Sequence, residues 1–164
     1  VSKCKEFFLK SQEKRIHCSK VYYLQSKYYN KCGKTKLAQA ALKESISLNP
    51  NYAKAYRNLG IILLSYDEIN NARLHIEKSI NIDYSDSKSH YYLAKIMIIM
   101  KDYSDAEQHL LSALDINPKC VDCLIELALI KLYFKNEGQA RKYYQQAKNI
   151  NPQCQNKKLD HIVI

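Results

Sequence analysis

Between Asn51 and Asp86, small and apolar residues recur at helical spacing in two runs. The first takes Ala55, Tyr56, Leu59, Gly60 and Leu63, and the second takes Ile69, Ala72, Ile76, Ser79 and Ile80. Polar residues from Ser65 to Glu68 divide them. The pattern predicts two short amphipathic helices. Neither is long enough to stand alone in water, so each must bury its stripe against the other.

The pattern recurs. Leu48-Asn49-Pro50, Ile82-Asp83-Tyr84, Ile116-Asn117-Pro118 and Ile150-Asn151-Pro152 stand 34 residues apart without an insertion. Ala38, Ala72, Ala106 and Ala140 keep the same step, as do Leu42, Ile76, Leu110 and Tyr144. Proline lacks a backbone donor and disfavours helix in the residue before it, so each Asn-Pro marks a helix end.

A 34-residue unit with an aromatic, then Leu-Gly, then Ala, a large apolar residue and a closing Pro resembles the tetratricopeptide repeat. The unit from Ala53 supplies Tyr56, Leu59-Gly60, Ala72 and Ile76, with Tyr84 in place of Pro. The unit from Ser87 has His90, Leu93-Ala94, Ala106, Leu110, Ala113 and Pro118. The unit from Val121 has Leu124, Leu127-Ala128, Ala140, Tyr144 and Pro152, with Lys131 a poor match for an aromatic. The unit from Ser19 has Tyr22, Ala38, Leu42 and Pro50, but Gln25-Ser26 departs from Leu-Gly. The resemblance implies an all-α fold, a right-handed α-α superhelix (solenoid) of tandem helix-turn-helix repeats whose first helices line a concave face. Repeats are expected at 19–52, 53–86, 87–120 and 121–154. An N-terminal helix, half repeat or cap precedes them at 1–18, and a C-terminal cap or tail follows at 155–164.

Small residues at Gly60, Ala94 and Ala128 are expected to face Ala72, Ala106 and Ala140, so that paired backbones approach closely. With three glycines and three prolines in 164 residues, little chain is left for linkers. Gly33 and Gly138 are read as hairpin-turn residues and Gly60 as a helix contact, which leaves none for a phosphate-cradling loop. In the repeat's phase, Cys4 and Phe8 fall at the small and large positions of an earlier second helix. No secretory signal is expected, and the densest apolar stretch, Ile96 to Met100, is too short to span a membrane. A cytoplasmic location is the expectation.

Charge changes this picture. Of the net +10, the residues up to Tyr52 carry +8, from eleven Lys/Arg against three acids. Such a surface is either a solvated face or a means of steering an acidic peptide, a nucleic acid or an anionic membrane surface. The inward positions of the first helices read Tyr23 and Lys27, then Lys54, Arg57 and Asn58, then Lys88, Tyr91, Tyr92 and Lys95, and last Ile125 and Leu129 beside Asp122, Glu126 and Tyr133. Lysine and tyrosine predominate early and apolar residues late. The expected partner is therefore a protein or peptide with acidic and apolar residues; nucleic acid is the alternative, and self-association through solenoid ends is open. One use of the family is a clamp for the C-terminal carboxylate of chaperone tails. Here only Asn58 and Lys88 match it, while Tyr23, Lys27 and Tyr92 stand where Lys, Asn and Arg would be needed.

Cys120-Val-Asp-Cys123 has the spacing of half a zinc site or of a redox pair. Zinc wants four ligands and Cys154 is a whole repeat away, so the pair reads as structural or incidental. Six thiols without a secretory signal favour a reducing compartment. The five histidines are scattered, and carboxylates such as Asp67, Glu68, Asp102 and Asp105 fall at turns and helix starts, where they cap. No catalytic residue, cofactor or metal is assigned. The expected role is a non-catalytic protein-protein interaction scaffold. The alternatives are a regulatory or substrate-docking region of a multidomain enzyme, an RNA-binding solenoid, and a protein similar to the pilus-assembly members of the family.

Overall fold

The computed structural model describes residues 19–162, so the half repeat expected at 1–18, with Cys4 and Phe8, lies outside the described residues. Among the described residues there are eight α-helices and no strand. They divide into two compact units, one ending at Tyr84 and the other starting at Ser85.

The N-terminal unit contains α1 (Ser19–Lys31), α2 (Thr35–Leu48), α3 (Ala53–Leu64) and α4 (Ile69–Ile82). Helix α1 pairs with α2 and α3 with α4, and α2 packs on α3. The C-terminal unit contains α5 (Ser87–Ile99), α6 (Tyr103–Ile116), α7 (Val121–Tyr133) and α8 (Glu137–Ile150), followed by a 3-10 turn at Asp160–Ile162. Its helices pair in the same way, and α8 also touches the 3-10 turn.

Every hairpin is closed by the same device. The residues at 33, 67, 101 and 135 are Gly33, Asp67, Lys101 and Lys135, and all four take left-handed backbone, with φ of 70°, 58°, 64° and 59°. In each, the next amide reaches back to a carbonyl five residues earlier: Lys34 to Tyr29, Glu68 to Leu63, Asp102 to Met97 and Asn136 to Lys131. This is the Schellman ending, which satisfies the last carbonyls of the first helix. Asp102 and Asn136 then cap the second helices by accepting from the amides of Asp105 and Gln139. Gly138, read from the sequence as a turn residue, instead lies in the first turn of α8. The left-handed turn residue is Lys135, two residues before that helix begins.

The small residues hold the helix pairs together. Ala38, Ala72, Ala106 and Ala140 are all fully buried. A Cβ added at Gly60 would stand 2.7 Å from Ile76 Cγ1 and 3.0 Å from the Ala72 carbonyl oxygen, so α3 and α4 approach as closely as glycine allows. Leu42, Ile76, Leu110 and Tyr144 are the large side chains inserted beside them, none more than 1% exposed. In the N-terminal unit, hydroxyls also tie each second helix to the start of its partner: Ser45 donates to the Ser19 carbonyl at 2.7 Å and Ser79 to the Ala53 carbonyl at 2.9 Å.

A cap covers α8. Tyr144, Cys154 and Leu159 share one apolar cluster with Leu124, Ala128 and Ala147. The buried Tyr144 hydroxyl donates to Asp160 Oδ1 at 2.5 Å and accepts from the Asn156 amide at 3.0 Å. Asn156 and Asp160 thus form a polar latch on the buried Tyr144 hydroxyl.

Candidate partner-binding site

The first helices of the C-terminal unit, α5 and α7, place half-buried side chains around a cleft of about 360 Å³. Ile98, Leu129, Ile130 and Leu132 supply apolar walls, and the rings of Tyr103 and Tyr133 close one side. Glu126 and Lys158 are the charged groups in its lining. Tyr103, Tyr133 and Phe134 form a ring cluster, with centroids 4.7 to 5.7 Å apart. Tyr133 and Phe134 are 64% and 59% exposed, which leaves two large aromatic faces in water beside an apolar cleft.

Glu126 is the least satisfied polar group of this wall. Among the described residues it has no hydrogen bond or ion pair, and burial raises its carboxyl above the ordinary range; nearby Asp122 adds to the shift and Lys95 opposes it. Burial likewise pushes the Tyr91 hydroxyl far up, with Asp122 and Glu126 contributing. Tyr91 meets Tyr92 edge to face at 5.3 Å, and the Lys95 ammonium stands 5.8 Å from the Tyr91 ring. Of the residues expected to face a partner, the structure thus gathers Tyr91, Tyr92, Lys95 and Leu129 on this unit, near Glu126. Lys88 is exposed, and Ile125 packs partly against the cluster under the cap.

In the N-terminal unit Lys27 and Lys54 are exposed. Tyr23 is half-buried and packs edge to face on Tyr52 at 5.3 Å. Asn58 is half-buried, while Arg57 is only 9% exposed, so its guanidinium belongs largely to the helix packing. The sequence reading missed two pairings. Lys131, the poor match for an aromatic, forms a salt bridge with Glu107 between α7 and α6. His90 is buried with its Nδ1 3.3 Å from His109 Nδ1, at the same pair of repeat positions as Tyr56 and His75, whose rings lie 6.0 Å apart. The signal was the 34-residue phase, which aligns residues 56 with 90 and 75 with 109.

Cys120 and Cys123 are joined by a disulfide, so the reading of six free thiols does not hold; Cys32 and Cys154 are free. No helix among the described residues is long and apolar enough to cross a membrane.

Helix hairpins repeated in one register, with buried small residues at each crossing, define an all-α helical repeat protein. Two of the four hairpins, residues 19–52 and 121–154, match the tetratricopeptide repeat model, so the chain contains tetratricopeptide repeats at these two places. No curated protein matches the chain in sequence. Its fold is similar to the crystal structure of MamA, at 19% identity and a TM-score of 0.77 over 88% of this chain and 85% of that one. It is also similar to Pseudomonas aeruginosa PilF, at 22% identity and a TM-score of 0.76 over 83% of this chain and 62% of that one. A chain of the APC/C Cut9–Hcn1 hetero-tetramer matches at 17% identity and a TM-score of 0.78, over 91% of this chain but 30% of its own length. Identities this low carry the fold. Tetratricopeptide proteins in general bind proteins or peptides and are generally non-catalytic.

Proposed function

We propose that this chain is a non-catalytic scaffold that holds a peptide or protein segment, with its main anchor in the cleft of the C-terminal unit. The observation that carries the reading is the juxtaposition of that cleft with the exposed rings of Tyr133 and Phe134 and the unpaired carboxylate of Glu126. An apolar or aromatic side chain of the partner fills the cleft, and Glu126 with Asp122 favours a basic or hydrogen-bond-donating neighbour to that anchor. The exposed lysines of the N-terminal unit, Lys27 and Lys54, attract acidic residues elsewhere in the partner and raise its association rate more than its affinity. A place in a larger cytoplasmic assembly is part of the proposal.

The test is affinity capture from the source lysate, with and without nuclease, using wild type beside Tyr133→Ala/Phe134→Ala and Lys27→Glu/Lys54→Glu. These side chains are exposed, so circular dichroism should show unchanged helix content. A protein retained by wild type through nuclease, and lost with the aromatic pair, supports the scaffold. Capture that disappears with nuclease makes the chain an RNA-binding solenoid instead, and capture that survives both double variants rejects the assigned surface.

A further inference from the structure

We propose that Cys120 and Cys123 form a reversible thiol–disulfide exchange site, which takes low-molecular-weight thiols and disulfides at Cys120. The proposal goes beyond partner binding and does not rest on it. The two Cα atoms are 5.4 Å apart, within the range a disulfide spans. Cys120 is the N-cap of α7, and its Sγ accepts the amide of Cys123 at 3.4 Å. A helix start directs its free N–H groups at such a sulfur, and these donors stabilise the negative charge that exchange places there. Access is unequal. Cys120 is half-buried, whereas Cys123 is fully buried.

Packing does not require sulfur at either position. One and two repeats earlier, the place of Cys123 is filled by Ser89 and Ala55, both fully buried, and the place of Cys120 by Asp86 and Tyr52. A small residue and a helix-starting residue meet the structural need, so the cysteines add a chemistry that the fold can do without. Among the described residues no cluster of three or more His, Cys, Asp or Glu is placed to hold a metal ion.

In the reducing direction, a thiolate attacks Cys120 Sγ, the intramolecular S–S bond breaks, and Cys123 leaves as a thiolate that takes up a proton. A second thiolate then attacks the incoming sulfur of the mixed disulfide and frees Cys120 as a thiolate, which takes up a proton in turn. The two small thiols leave as one disulfide, and the protein has gained two electrons and two protons. Oxidation by a small disulfide follows the reverse course. The exchange reaches beyond the pair, because Val121 and Leu124 on the same turn pack in the cluster that holds Leu159 and the cap.

The experiment equilibrates the whole chain in glutathione buffers of graded redox ratio, followed by acid quench, alkylation and peptide mass spectrometry. The expected result is one two-electron transition in which Cys120 and Cys123 gain or lose alkyl groups together in the folded protein. Oxidised glutathione should trap a mixed disulfide on Cys120 in Cys123→Ser at least about tenfold faster than on Cys123 in Cys120→Ser, following access. Equal rates in the two variants would overturn the assignment. So would a pair that stays dithiol at every ratio, or one that exchanges only as fast as the chain unfolds. Cys123→Ala should fold like wild type, since Ala55 fills the same place, which separates loss of exchange from loss of structure.

Discussion

At the scale of single residues, Gly60 marks a tight approach of α3 to α4. Its missing side chain leaves room for Ile76 Cγ1 and Cδ1, which would stand 2.7 and 2.8 Å from an added Cβ. Gly60→Ala should therefore destabilise the chain by about 1–3 kcal/mol, as expected for an overfilled core, measured by urea unfolding. Ile76→Val removes Cδ1 and should restore part of the loss in the double variant. Glu126 makes the opposite case. Its carboxyl is raised because burial disfavours the charge, so the folded state loses stability as pH climbs through the ordinary carboxylate range and beyond. Glu126→Gln should raise the melting temperature at neutral pH, and the gain should vanish at low pH, where the native residue is protonated. A residue that costs stability where it stands is one that binding would explain.

At the scale of elements, the turns differ in quality although their hydrogen bonds are alike. Gly33 adopts the left-handed backbone freely, whereas Lys101 and Lys135 are held in it. The conformation costs an L-residue about 1–2 kcal/mol, and glycine's extra freedom in the unfolded chain takes back about half of that. Lys101→Gly and Lys135→Gly should each stabilise by about 0.5–1 kcal/mol in denaturant titrations, with Asp67→Gly gaining less, because aspartate tolerates the region better. The cap latch obeys two titrations. The Tyr144 hydrogen bond, with help from Lys148, holds Asp160 below its ordinary value, so this contribution is present above the ordinary carboxylate range and fades as pH falls through the depressed value. Burial and the Asp160 contact raise Tyr144, so its contribution is present below the ordinary tyrosine range and fades as pH rises through the raised value. Hydrogen exchange at residues 154–162 should therefore accelerate at both extremes, and Asp160→Asn should remove the acid limb.

For the molecule as a whole, period and phase were legible because each 34-residue unit repeats the same demands: Ala at 38, 72, 106 and 140, and a large apolar side chain four residues later. The left-handed turn position was less so, since three of its four residues are not glycine, and the one glycine near the last turn, Gly138, belongs to a helix. The candidate site was legible as a set of helix faces, but not as a cleft. Ile98, Tyr103 and Tyr133 come from α5, α6 and α7 and Lys158 from the segment after α8, and a periodic pattern does not encode their distances. Arg57 shows the other limit, because a charged residue at an inward position can be taken up almost wholly by packing. The disulfide lay in the spacing of Cys120 and Cys123, but thiol and disulfide share one sequence.

The strained turns also set where the chain can be cut. Lys101 and Lys135 are exposed at hairpin tips, the places where a protease can draw backbone into its active site with the least unfolding. Lys95 and Lys131 lie within helices, and each would require a helix to open first. Brief trypsin digestion should accordingly cut after Lys101 and Lys135, and after Lys119 in the exposed turn between α6 and α7, before these two sites. The cuts at Lys101 and Lys135 each part the first helix of a hairpin from its second, so the chain is most easily severed between partners that fold together.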